Sequence, residues 1–215
     1  KNSNNEIIIF PPDLYINQVF SYKDKKNFSL GGQRVNSDGN DTHTSGTKSE
    51  MFIDNGCDYI LVGHSEIRNL TVHKDYGKDD LYDSSGLQAI FCIGEDADAK
   101  ESGNTSNVLE KQLEDLCKKE NYPDSTPEKA IIAYEPVWAI GTNKVPKLKE
   151  ISKIHTFIKR YFYKNYNVTD IPVLYGGSVN STNSKGIFSI ETVNGGLIGG
   201  ASLNASEFCK IYDTL

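Results

Sequence analysis

Short apolar runs recur along the chain, each followed by polar or helix-patterned sequence. They are Glu6–Phe10, Phe28–Gly32, Tyr59–Gly63, Ala89–Gly94, Ala130–Tyr134, Ile171–Tyr175 and Gly196–Gly199. The runs are continuous rather than alternating, which predicts strands buried on both faces. Between them, Leu148, Ile151, Ile154, Phe157, Ile158, Tyr161 and Phe162 recur at spacings of three and four. That spacing predicts a helix over Pro146–Asn165, with Pro146 in the first turn and one apolar face. A second helix is expected over Ser106–Lys119, with Val108, Leu109, Leu113, Leu116 and Cys117 inward. Ser37–Ser49 is polar and turn-rich and reads as a long loop. Strands alternating with helices imply an α/β fold with a parallel sheet and right-handed crossovers.

Two features favour a closed barrel over an open doubly wound sheet. Phe10-Pro11-Pro12-Asp13, after the first run, is not a glycine-rich turn that cradles a pyrophosphate. Polar residues also sit at the C-terminal ends of many runs: Gln33, His64, Glu95, Glu135, Gly176–Ser178 and Gly199–Ser202. A (β/α)8 barrel gathers those ends at one mouth, where barrel enzymes do their chemistry. The 215 residues suit a single domain, 1–215, with no long linker or low-complexity stretch.

Composition narrows the partners. A net charge of −6 argues against nucleic acid, which needs a basic face. No apolar run approaches the roughly 20 residues of a membrane helix, and no apolar targeting core follows Lys1. Cys57, Cys92, Cys117 and Cys209 are far apart and form no CxxC pair, so they read as buried thiols in a reducing compartment. The expected location is the cytoplasm, with an organelle such as a plastid as the alternative. His43, His64, His73 and His155 offer no clustered metal-ligand spacing, so no metal is expected.

Three elements could carry chemistry. His64 and Glu135 each close an apolar run, giving a candidate electrophile and a candidate base. Taken alone, His64 reads first as a hydrogen-bonded loop residue, and Glu135 reads equally as a base or as a salt-bridged strand cap. Gly176-Gly177-Ser178 and Gly199-Gly200-Ala201-Ser202 end the last two runs. Paired glycines let backbone N–H groups approach an anion, and a following helix N-terminus would add its dipole; tight turns use glycine as well. Pro136-Val137-Trp138-Ala139-Ile140-Gly141-Thr142 is an apolar loop directly after Glu135. It reads as a lid that excludes water, or as simple packing.

In order along the chain, Gly63-His64-Ser65-Glu66, Cys92-Ile93-Gly94-Glu95, Ala133 to Thr142, Tyr175-Gly176-Gly177-Ser178-Val179 and Gly199-Gly200-Ala201-Ser202-Leu203 resemble the triosephosphate isomerase family. The resemblance runs from Phe10 to the end and implies a TIM barrel, seven of whose eight strands are visible. It implies interconversion of dihydroxyacetone phosphate and D-glyceraldehyde 3-phosphate, a reaction of glycolysis and gluconeogenesis, without cofactor. By the same resemblance Glu135 is the base, His64 the neutral imidazole and Glu66 a supporting acid. Gly141, Ser178, Gly199 and Gly200 are backbone donors to the phosphate, and Pro136 to Thr142 form the lid. A non-catalytic or degenerate triose phosphate-binding relative is the alternative.

The sequence also departs from the family. The family's first strand, with its asparagine and lysine, has no counterpart ahead of Glu6, and a first β-α unit lying outside this sequence is the expected reason. A homodimer is implied, but its loop reads Thr44-Ser45-Gly46 where the family has Thr-Gly-Glu, and Arg34 replaces an asparagine. The family's loop glutamate pairs with the first of two arginines; here the two positions are Gly46 and Ile67, ahead of Arg68. Losing both partners is far cheaper than stranding one charge, so a coupled rewiring is expected. The stretch Leu70–Ser85 matches poorly.

Overall fold

The computed structural model describes residues 5–23, 27–35, 44, 46–70, 86–117, 129–142 and 144–215. The chain divides into two compact units: Lys1–Phe91 with Asp115–Lys129, and Cys92–Glu114 with Ala130–Leu215. The described residues form seven strands, β1 (Ile8–Ile9), β2 (Ser29–Gly32), β3 (Tyr59–Val62), β4 (Gln88–Ile93), β5 (Ile131–Tyr134), β6 (Val173–Tyr175) and β7 (Gly195–Gly196). The helices are α1 (Ile16–Phe20), α2 (Ser49–Asp54), α3 (Ser65–Leu70), α4 (Ala97–Glu101), α5 (Thr105–Leu116), α6 (Leu148–Tyr166), α7 (Ser184–Phe188) and α8 (Ala205–Tyr212).

In the first unit β1 to β4 pair in chain order, all parallel, with Ile8 opposite Ser29, Gly31 opposite Tyr59 and Tyr59 opposite Gln88. The apolar run of β4 is buried from Ala89 to Ile93, as a two-faced parallel strand requires. In the second unit β5 to β7 repeat the scheme, with Ile132 opposite Val173 and Leu174 opposite Gly195. There the end of β4 joins β5 through Glu135 N–H donating to the Ile93 carbonyl at 2.7 Å.

The helix α6 buries Ile151, His155, Ile158, Tyr161 and Phe162, while Ile154 and Phe157 of the expected stripe are half-buried, and two further expectations are corrected. Leu148 is 45% exposed, because it lies in the first turn before the helix reaches the core. Pro146 stands outside the helix, not in its first turn: Lys147 is the cap, and its N–H donates to Glu150 Oε2 at 3.0 Å. In α5, Leu109, Leu113 and Leu116 are buried as expected and Val108 is half-buried, while Cys117, also half-buried, lies in a turn just past the helix end. Ser49 opens α2 rather than closing a loop; residues 37–43 and 45 lie outside the described set, as do 71–85. The four cysteines are thiols outside any disulfide, but only Cys57 and Cys92 are buried; Cys117 is half-buried and Cys209 exposed. No helix among the described residues is long and apolar enough to cross a membrane.

Candidate active site

His64 follows β3 and directly precedes α3. The backbone N–H of Glu66 donates to its Nδ1 at 3.4 Å. A ring nitrogen that accepts is unprotonated, so in the neutral ring Nε2 carries the hydrogen and can donate. The Glu66 carboxylate stands 3.9 Å from Nδ1 and is itself exposed. His64 lines a shallow depression with Gln33, Arg34, Gly63 and Ile67, so two of the positions that depart from the family share its wall. Arg68 is buried.

In the second unit Glu135 follows β5 and is 1% exposed. Its surroundings are shaped by two glycines. A Cβ on Gly94 would overlap the Glu135 carbonyl oxygen, and one on Gly176 would lie 2.8 Å from Glu135 Cγ. The first glycine of the Gly176-Gly177 pair is therefore required by the acid's own side chain; this is a reason for the pair that its sequence does not reveal. Gly177 in turn packs against the Tyr175 ring. At the second pair, Gly199 and Gly200 face open space. The N–H groups of Ser178, Gly199 and Gly200 donate to no acceptor among the described residues, which leaves them available to an anion. No α-helix follows either pair directly. A short 3-10 turn over Gly200–Leu203 intervenes before α8, which Asn204 caps by accepting from Glu207 N–H at 3.0 Å. Asn183 precedes α7.

The lid segment is ordered by polar contacts. Val137–Ala139 form a 3-10 turn, and Ala139 is fully buried. The Ser178 hydroxyl donates to the Ala139 carbonyl at 2.8 Å, and Thr142 Oγ1 donates to the same oxygen at 3.1 Å. The indole N–H of Trp138 donates to Glu95 Oε1 at 2.8 Å. Tyr134 Oη lies 3.2 Å from each Glu95 oxygen. Glu95 is fully buried, and burial pushes its carboxyl above the usual range against the pull of these donors. In the sequence Glu95 stands at a strand end with no role assigned to it. Its signal was the same as that of Glu135: a carboxylate emerging from an apolar run, costly to bury unless used.

The family model described as triosephosphate isomerase matches residues 1–215. The chain belongs to the triosephosphate isomerase family. A relative of that name from Francisella tularensis is 38% identical over 212 residues, 96% of this chain and 83% of the relative. One from Lawsonia intracellularis is 38% identical over 213 residues, with the same shares, and one from Ruegeria is 35% identical over 221 residues, 98% and 85%. The crystal structure of triosephosphate isomerase from Bartonella henselae shares the fold with a TM-score of 0.84 and 32% identity, covering 97% of this chain and 85% of that one. The expected TIM-barrel class and isomerase activity on triose phosphates, a step of glycolysis, are thus those of the family. Glu135 and His64 fall in different units, and each is placed here by its own surroundings. Ser45 of the altered loop lies outside the described residues, while Thr44 is exposed and Gly46 half-buried.

Proposed function

We propose that Glu135 and His64 carry the isomerisation of dihydroxyacetone phosphate and D-glyceraldehyde 3-phosphate. The Glu135 carboxylate takes the proton from the carbon beside the carbonyl, and the electron pair moves onto the carbonyl oxygen. The Nε2–H of His64 polarises that oxygen and moves the oxygen-bound proton, and Glu135 returns its proton to the neighbouring carbon. Triosephosphate isomerase is itself the standard example of such a pairing of carboxylate base and neutral imidazole. The backbone groups of Gly141, Ser178, Gly199 and Gly200 receive the phosphate, and the lid from Pro136 to Thr142 keeps water from the enediolate. Glu66 supports the His64 tautomer through its N–H.

One observation carries this reading: a carboxylate 1% exposed, with no room for a side chain at Gly94 or Gly176 beside it, leading straight into an ordered lid. The same proposal includes a homodimer whose loop, around Thr44, Ser45 and Gly46, is rewired together with Ile67, and a cytoplasmic location with a plastid-like organelle as the alternative. In deuterated water the full-length protein should convert D-glyceraldehyde 3-phosphate and leave solvent deuterium on the carbon that exchanges its proton. Tight binding of a phosphorylated enediolate analogue without any turnover would instead assign a non-catalytic relative.

A further inference from the structure

The lid tryptophan is gripped from two sides by one short segment. Glu95, at the start of that segment, takes the indole N–H at 2.8 Å. Asp96 caps α4 by accepting from Ala99 N–H at 2.9 Å, which fixes the helix that follows. From α4 the ammonium of Lys100 lies over the indole, 5.2 Å from the ring centroid. The same ammonium donates to Glu150 Oε1 at 3.1 Å. The other oxygen of Glu150 accepts the Lys147 N–H at 3.0 Å, at the point where the chain leaves the lid connection and enters α6. A single cation therefore touches the indole near the start of the lid and the carboxylate that caps the helix beyond its end.

We infer that Lys100 is a positioning residue of the isomerase: it brackets the two ends of the lid, fixing the Trp138 indole against the first turn of α6. Aromatic faces attract cations through the ring quadrupole, and a carboxylate behind the ammonium keeps it from swinging to water. Neither contact touches substrate. Their effect is to hold Gly141, assigned above to the phosphate, in one conformation, so that binding does not have to order the lid afresh. A lid out of place for part of the time weakens substrate binding by that fraction. This inference rests on the proposed role of the lid, but its first readout does not require activity.

Trp138 is the only tryptophan of these 215 residues, and the emission that disappears in a Trp138→Phe variant is the part that reports the bracket. In the full-length protein, Lys100→Met should increase acrylamide quenching of Trp138 and shift its emission to the red. It should also raise KM for D-glyceraldehyde 3-phosphate by roughly three- to fivefold with kcat within about twofold, the factor expected for one exposed cation–π contact. Lys100→Arg should restore both, because a guanidinium stacks on the ring and pairs with the carboxylate. Glu150→Gln should reproduce part of the effect and add little in the Lys100→Met background. Lys100 is half-buried, and an unchanged melting temperature in Lys100→Met shows that folding is not the cause. Unchanged quenching in Lys100→Met, or an Arg variant as impaired as the Met variant, overturns the inference. Altered quenching in a protein that shows no turnover would uphold the bracket and reject the catalytic reading instead.

Discussion

Gly176→Ala isolates the placement of the acid from everything else in the site. Gly176 has no positive φ, so alanine suits its backbone. The added methyl would stand 2.8 Å from Glu135 Cγ and 3.4 Å from the Tyr134 carbonyl oxygen. The second distance is tolerable; the first is not, and the Glu135 side chain must give way by roughly 0.6 Å to reach ordinary contact, a displacement on the scale at which misplaced groups lose about tenfold to a hundredfold in rate. The Glu135 main chain cannot absorb the shift on its other side, because its carbonyl already lies against Gly94 with no space for a side chain. The expected result is a fall in kcat of about thirtyfold with KM changed less than about threefold, since the phosphate donors stay where they are. Steady-state isomerase kinetics in both directions give the numbers, and urea unfolding shows whether stability is retained. A variant with kcat within twofold of the parent would show that Gly176 does not place the acid, as would a loss carried entirely by KM.

Two other outcomes follow from the same geometry. His155 is fully buried, and burial holds it down to about 4 despite the Thr192 carbonyl that its Nδ1–H meets at 3.1 Å. A folded value below the unfolded one of about 6.5 means stability is complete above pH 6.5 and is lost as pH falls toward 4, in total by about 3 kcal/mol. Urea midpoints between pH 7 and pH 4.5 should show this slope, and His155→Phe should flatten it; an unchanged slope would remove His155 from the account. Gly141 sits at φ 68° with open space where a Cβ would go, so Gly141→Ala costs only backbone strain, about 1–2 kcal/mol. Carried by the lid, that is about a tenfold drop in kcat/KM with global stability little changed, and full activity would contradict the lid assignment.

The strands were legible because parallel strands buried on both faces leave uninterrupted apolar runs. All seven runs contain or overlap the observed strands, and the largest offset is at β7, where Gly195 and Gly196 carry no side-chain pattern to read. The helix α6 was legible from Ile151 onward, while Leu148 and Pro146 were misjudged because periodicity does not show where the first turn meets the core. His64 and Glu135 stood out as polar residues ending apolar runs. What could not be read was the reason for Gly176, which depends on a side chain 41 positions earlier in the chain. The partnership of Glu95, Tyr134 and Trp138 was hidden in the same way, since it joins three segments that only the folded chain brings together.

Glu135 stands or falls as the base with Glu135→Gln, which keeps the shape of the side chain and removes its carboxylate. With the full-length protein and D-glyceraldehyde 3-phosphate, kcat should fall at least about a hundredfold, the contribution of a positioned general base, with affinity for a phosphorylated enediolate analogue reduced far less. A loss smaller than tenfold would mean that another group takes the proton.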